Sequence, residues 1–197
     1  MKYYVMALAS SDDYAEINNH PEDLPIEEYY FDEARPLLSQ IPEKLNYQFT
    51  AEKPDGRELV DLQFNTLGLF IVSPKLKQLL EGHANIEFIP IIINDHRGGV
   101  ASEEYCIANF LDVCDCIDLD KSKCRVSPFN KDKFNRISKL VIDESKITTQ
   151  AKIFRIQQVP TTLVVTDSLV NILKNNNISG AQFVPVEEYD SAYFIGV

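Results

Sequence analysis

Apolar positions fall mostly in short runs that alternate with polar residues or are rich in β-branched side chains, and only rarely at helical spacing. Strands are expected at Lys2–Leu8, Leu59–Phe64, Ile86–Ile93, Glu104–Phe110, Ile137–Ile142 and Ile153–Ile156, where Tyr, Val, Ile and Phe dominate between turn residues. The nearly unbroken run Ile86–Ile93 reads as a central strand covered on both faces. Helical spacing occurs at Leu76, Leu79 and Leu80, behind Ser73-Pro74, a cap residue followed by proline at the first helical position. Gly82 can stop that helix. A further short helix is expected from Ala34 through Leu37, Leu38 and Ile41. Residues 9–34, 42–57 and 122–135 lack a period and carry Pro21, Pro25, Pro54-Asp55-Gly56 and Pro128, so they read as loops and connections. The tail ends apolar at Tyr193, Phe194, Ile195 and Val197 and is expected to dock.

One pattern occurs twice. Leu69–Leu80 followed by Phe88-Ile89-Pro90-Ile91 matches Thr162–Leu173 followed by Phe183-Val184-Pro185-Val186. Each stretch is an apolar strand, a hydroxyl cap (Ser73, Thr166), a short amphipathic helix and a strand of the form Phe-aliphatic-Pro-aliphatic. The offset is 93 residues in the first block and 95 in the second, so two residues are inserted in the loop. This predicts an internal β-α-β repeat. With eight or nine strands and few helices, the expected class is α+β, a mixed, largely antiparallel sheet with a few short helices. The organisation expected is one domain over 1–197, or two lobes each carrying one copy, near 59–93 and 153–186.

Charge changes this picture. The chain carries 19 Lys and Arg against 30 Asp and Glu, a net −11, and between Lys2 and Arg35 there is no base at all. That stretch holds Asp12, Asp13, Glu16, Glu22, Asp23, Glu27, Glu28, Asp32 and Glu33, interleaved with Tyr14, Tyr29, Tyr30 and Phe31. Residues 1–34 alone carry −8. Crowded like charges favour a basic neighbour and disfavour nucleic acid, whose phosphates need cations. An acidic, aromatic-bearing surface suits a basic protein partner, while a solvated loop whose rings only pin it to the core is the bland alternative. A basic group, Lys121, Lys123, Arg125, Lys131, Lys133, Arg136 and Lys139, lacks a nucleic-acid motif and is expected to offset the acidic segment within the fold. The longest apolar runs are too short to span a membrane, and the N-terminus turns acidic too early for a signal peptide. A cytoplasmic protein with reduced thiols is expected.

Candidate chemistry is sparse. Cys106, Cys114, Cys116 and Cys124 form C-x7-C-x-C-x7-C, without the two close pairs of a structural zinc site, and read as core cysteines. Asp95-His96-Arg97-Gly98-Gly99 is the most catalytic-looking group, but it equally fits a hairpin tip. No phosphate loop, nucleophile elbow or metalloprotease motif is present. No catalytic, cofactor or metal residue is assigned, and the chain is not expected to be an enzyme.

The order of Leu111-Asp112-Val113-Cys114-Asp115-Cys116-Ile117-Asp118-Leu119-Asp120-Lys121-Ser122, then Lys139–Ser145, Ile153–Ile156 and Val164–Leu173, resembles a family of bacterial immunity proteins. The resemblance covers most of 59–186 and is weakest over 9–57. It implies a cytoplasmic protein that binds and neutralises a cognate toxin of the polymorphic kind, delivered by contact-dependent or type VI secretion. It carries over no catalytic residue. The partner-binding residues expected are Asp12, Asp13, Glu16, Glu22, Asp23, Glu27, Glu28, Tyr29, Tyr30, Asp32 and Glu33. A regulatory interaction module, or an enzyme of unrecognised type, is the alternative function.

Overall fold

The computed structural model describes residues 1–41 and 43–193. In chain order the elements are β1 (Tyr3–Leu8), β2 (Leu45–Gln48), β3 (Leu62–Gln63), β4 (Ile71–Val72), α1 (Pro74–Leu80), β5 (Ile86–Asn94), β6 (Val100–Ser102), β7 (Cys106–Phe110), β8 (Val113–Cys114), β9 (Lys123–Val126), β10 (Phe134–Lys139), β11 (Ile153–Ile156), β12 (Val159–Thr166), α2 (Asp167–Asn175) and β13 (Ala181–Pro185), with four short 3-10 turns. The fold is mixed α+β, as expected. One sheet has the order β13-β1-β12-β11-β8 and the other β2-β5-β7-β4-β3, with β6 also on β5. Among the strands of the described residues, only β2–β5 and β8–β11 pair in parallel.

Side-chain alternation makes this a layered structure. Met6 and Leu8 of β1, Leu163 and Val165 of β12, Val72 of β4, and Cys106, Ala108 and Phe110 of β7 all point into one cluster. That cluster also contains Leu76 and Leu80 of α1 and Leu169, Val170 and Leu173 of α2. The two helices touch and are shared by both sheets. The opposite faces are buried as well. Val5, Phe154 and Val164 pack with Ile117, Ile137 and Leu140 under the β9–β10 hairpin. Ile71, Ile107, Ile89 and Ile91 pack with Ala15, Ile17, Phe31 and Leu37 of the acidic N-terminal region.

The two strand–helix–strand stretches share a connectivity. β4 and β5 flank β7 and run antiparallel to it, and β12 and β13 flank β1 in the same way. The fold does not establish them as copies of one unit. β4 has two residues in strand where β12 has eight. Ser73 caps α1 by accepting from Leu76 N at 3.1 Å, whereas Thr166 makes no such bond at α2 and its hydroxyl instead meets Ser168 Oγ at 3.1 Å.

Other expectations are corrected. The helix from Ala34 to Ile41 is a single 3-10 turn at Leu38–Gln40. Ala34 sits at φ 51°, Pro36 disfavours helical backbone at Arg35, and Glu87 Oε2 captures Leu37 N at 2.7 Å and Leu38 N at 3.2 Å. The strand at Leu59–Phe64 shrinks to β3, because the side chain of Gln63 binds Val60 N and Ala15 O and competes with the ladder. The connection 122–135 holds β9 and the start of β10, and Ile142 makes only an isolated bridge to Ile117. Of the tail, Tyr189 is buried and Tyr193 is 83% exposed. Phe194, Ile195 and Val197 lie outside the described residues.

Two polar junctions, one half-buried and one buried, tie the sheets together at opposite ends of β7. At one end the Asp61 carboxylate accepts from Ser73 Oγ at 2.7 Å, at the start of α1, and from Ser179 N at 3.0 Å and Oγ at 3.1 Å, after α2. Gly180 follows at φ 75°, so close to Leu62 O and Val60 Cγ2 that any Cβ would collide. At the other end Arg155, 3% exposed, donates Nε to Phe110 O at 2.9 Å and Nη1 to Pro160 O at 2.6 Å. Burial pushes its pKa down to about 10, opposed by the field of Asp32.

Burial alone would raise the Asp61 pKa, but the bonds from Ser179 and Ser73 and the charge of Lys75 outweigh it and hold it below the ordinary value. A depressed folded pKa means that the contribution is complete above the unfolded value of about 3.9 and is lost as pH falls through the folded one. Asp61→Asn is expected to cost about 1–3 kcal/mol at neutral pH, because an amide nitrogen cannot accept from Ser179. In urea unfolding the gap from wild type should close as the pH drops below about 4. Arg155→Met is expected to cost about 1–3 kcal/mol in the same assay, and Arg155→Lys should not restore it, since one ammonium cannot replace two donors aimed at separate carbonyls.

Candidate partner-binding surface

The N-terminal region is held by backbone groups. Ala15 N donates to Glu58 O at 2.9 Å, Arg57 N and Glu58 N both donate to Asp13 O at 2.9 Å, Thr50 N donates to Glu16 O at 2.7 Å and Thr66 N to Ile17 O at 3.1 Å. Ala15, Ile17 and Phe31 are buried, and Leu24, Ile26 and Tyr30 are partly buried against them. This spacing turns the remaining side chains outward. Asp12, Asp13, Glu22, Asp23, Glu27, Glu28, Asp32 and Glu33 are exposed and Glu16 is half-buried.

Among the described residues only two of these nine acids form ion pairs, Glu16 with Lys53 at 3.9 Å and Glu33 with Arg35 at 3.3 Å. None pairs with the basic group at 121–139, so the expected internal neutralisation does not occur. The two charge groups instead overlie the outer faces of different sheets. Although Asp32 is exposed as a whole residue, the protein around its carboxyl removes enough water to raise its pKa, with Arg155 pulling it down and Glu33 pushing it up.

The aromatic residues divide by role. Phe31 is buried and stacks on His20 at 5.8 Å. Tyr30 is covered by the Arg35 guanidinium at 4.1 Å. Tyr29 is 56% exposed and meets Tyr30 edge-on at 4.8 Å. Phe31 and Tyr30 therefore pin the layer, and Tyr29 is the ring presented outward.

The chemistry weighed from sequence separates in space. Cys106 belongs to the helix-containing cluster, and Cys114, Cys116 and Cys124 to the one beneath the β9–β10 hairpin. All four are free thiols, and burial pushes Cys106 up to about 11. No group of three His, Cys, Asp or Glu is placed to hold a metal among the described residues. His96 lines an open cleft of about 490 Å³ with Phe49, Pro54, Arg57, Asp95, Arg97 and Ala101. Its Nε2 lies 3.1 Å from Gly56 O, and its enclosed Nδ1 has no partner. The Asp95 carboxylate is spent on the turn, accepting from Arg97 N at 2.8 Å and Gly99 N at 2.9 Å, which holds its pKa below the ordinary value. Among the described residues, no helix is long and apolar enough to cross a membrane.

The family model for the immunity protein family (Imm11) matches residues 4–188, which takes in both sheets, both helices and the acidic layer. The chain belongs to the Imm11 immunity protein family. A search of curated proteins finds no match to this immunity protein. Membership of an immunity protein family implies binding of a toxin partner. The hairpin β9–β10 was legible only in part: a strand was expected from Ile137 and the basic group was noted, but β9 is only four residues long and fell within a stretch read as a connection.

The division of aromatic roles is testable. Phe31→Ala should cost about 3–5 kcal/mol in chemical unfolding. Tyr29→Ala should cost less than about 1 kcal/mol, since it buries little.

Proposed function

We propose that this immunity protein neutralises its cognate toxin by laying the acidic layer over the toxin's active or substrate-binding surface. The observation that carries this reading is the row of exposed acids, seven of them without an ion pair among the described residues, on a backbone-anchored layer. Fixed like charges without internal partners cost stability through mutual repulsion, and a basic partner would relieve it. Such charge speeds encounter, while buried rings lengthen residence. Tyr29, with Tyr30 behind it, is the aromatic anchor in this reading. Asp12, Asp13, Glu16, Glu22, Asp23, Glu27, Glu28, Asp32 and Glu33 supply the field.

The setting proposed is the cytoplasm of a bacterium that carries a polymorphic toxin, delivered by type VI or contact-dependent secretion. The chain is read as one domain acting as a rigid body, because both sheets share one helical layer. No catalytic step is proposed; occlusion alone is the mechanism.

Reversing Asp12, Glu22, Glu27 and Glu28 to Lys should slow association with the toxin by about tenfold or more at low salt, and the difference should narrow at high salt. Growth protection on co-expression should fall in parallel. An unchanged rate without salt dependence would reject the acidic-surface mechanism and leave the family assignment intact.

A further inference from the structure

The β9–β10 hairpin belongs to neither main sheet and carries the charge opposite to the rest of the chain. Seven cations and one acid give residues 121–139 a net +6, so the remaining residues carry −17. Lys121 pairs with Asp118 and Arg136 with Asp190, but Lys123, Arg125, Lys131 and Lys139 are exposed and form no ion pair among the described residues. At the tip, Phe129 is 98% exposed. An aromatic ring left almost wholly in water contributes nothing to the fold.

That exposure comes from a built turn. Ser127 N donates to Lys133 O at 2.8 Å, Phe129 N to Ser127 Oγ at 3.3 Å and Asp132 N to Asn130 Oδ1 at 2.9 Å. The base is fixed to the body. Lys133 Nζ donates to Gln157 O at 2.7 Å, Phe134 N to Gln158 O at 3.0 Å, and Ile137 N to Ser191 Oγ at 3.0 Å. A ring presented on an ordered stalk loses little freedom when it is buried by a partner, which is the economy of a preorganised anchor.

We propose that this hairpin is a second contact element, which seats Phe129 in an acidic pocket of the toxin while Lys123, Arg125 and Lys131 face the pocket's carboxylates. The proposal rests on the toxin-neutralising reading and adds a separate site to it. Charge selects a protein pocket over a polyanion. Nucleic acid and anionic membrane extend well beyond one hairpin, and would also meet surface from the rest of the chain, which carries a net −17. Single-stranded nucleic acid also calls for successive stacking rings, and the tip offers one. A toxin with a basic face and a local acidic pocket matches both charged surfaces.

The test uses the full chain and the toxin domain encoded beside it, catalytically disabled, with binding followed by surface plasmon resonance. Phe129→Ala should weaken the complex about 30-fold or more, mainly through faster dissociation. The triple variant Lys123→Glu, Arg125→Glu, Lys131→Glu should slow association and change its salt dependence. Both variants should keep the wild-type melting temperature, since these side chains are exposed, so lost binding would not reflect unfolding. If wild type binds and both variants stay within twofold, the hairpin proposal fails and the acidic-layer reading stands. If wild type does not bind the toxin, both fail. Hairpin-dependent binding to a DNA duplex, or to vesicles of phosphatidylcholine and phosphatidylglycerol, with toxin affinity unchanged, would also overturn the proposal in favour of those partners.

Discussion

The carboxylate of Asp61 is the interaction on which the layered arrangement turns. Its two oxygens reach the first turn of one helix and the loop that leaves the other. Neither helix is long enough to be stable alone: α1 has seven residues and α2 nine. Their order comes from being clamped in one layer between two sheets. Ser73 serves twice there, accepting from Leu76 N as a cap and donating to Asp61. Arg155 repeats the logic at the far end of β7, where the cation is satisfied by carbonyls of both sheets rather than by a carboxylate at bonding distance. The half-buried charge of Asp61 and the buried charge of Arg155 are tolerated because each is well furnished with hydrogen bonds.

With the interior satisfied in this way, the two outer layers are left to carry opposite charge. The acidic layer covers the β5–β7 side and the basic hairpin covers the β1–β12 side. At Arg155 the field of an acidic-layer residue, Asp32, reaches the junction between the sheets.

Strands with apolar runs were legible: Ile86–Asn94, Cys106–Phe110 and Ile153–Ile156 all emerge close to their expected bounds, the last two buried on both faces. So did the helix behind Ser73-Pro74, whose cap and apolar spacing agree. What failed were segments whose backbone is claimed by distant side chains. Glu87 lies 50 residues from the amide of Leu37 that it captures, and no local pattern can show that. The β9–β10 hairpin was missed in part for another reason: β9 is short and its inward residues are few, with Ile137 buried and Phe134 and Cys124 partly so. The acidic stretch was legible as charge, but its attachment to 50–66 through main-chain bonds was not, since every residue type except proline offers the same amide and carbonyl.

That main-chain attachment bears on how such a protein can change over generations. Asp12, Asp13, Glu22, Asp23, Glu27 and Glu28 contribute side chains that the fold never uses for support, while their neighbours Ala15, Ile17 and Phe31 do the anchoring. Codons at the outward positions can therefore drift singly, each intermediate still folded. The outer lettering could be rewritten step by step with its frame untouched.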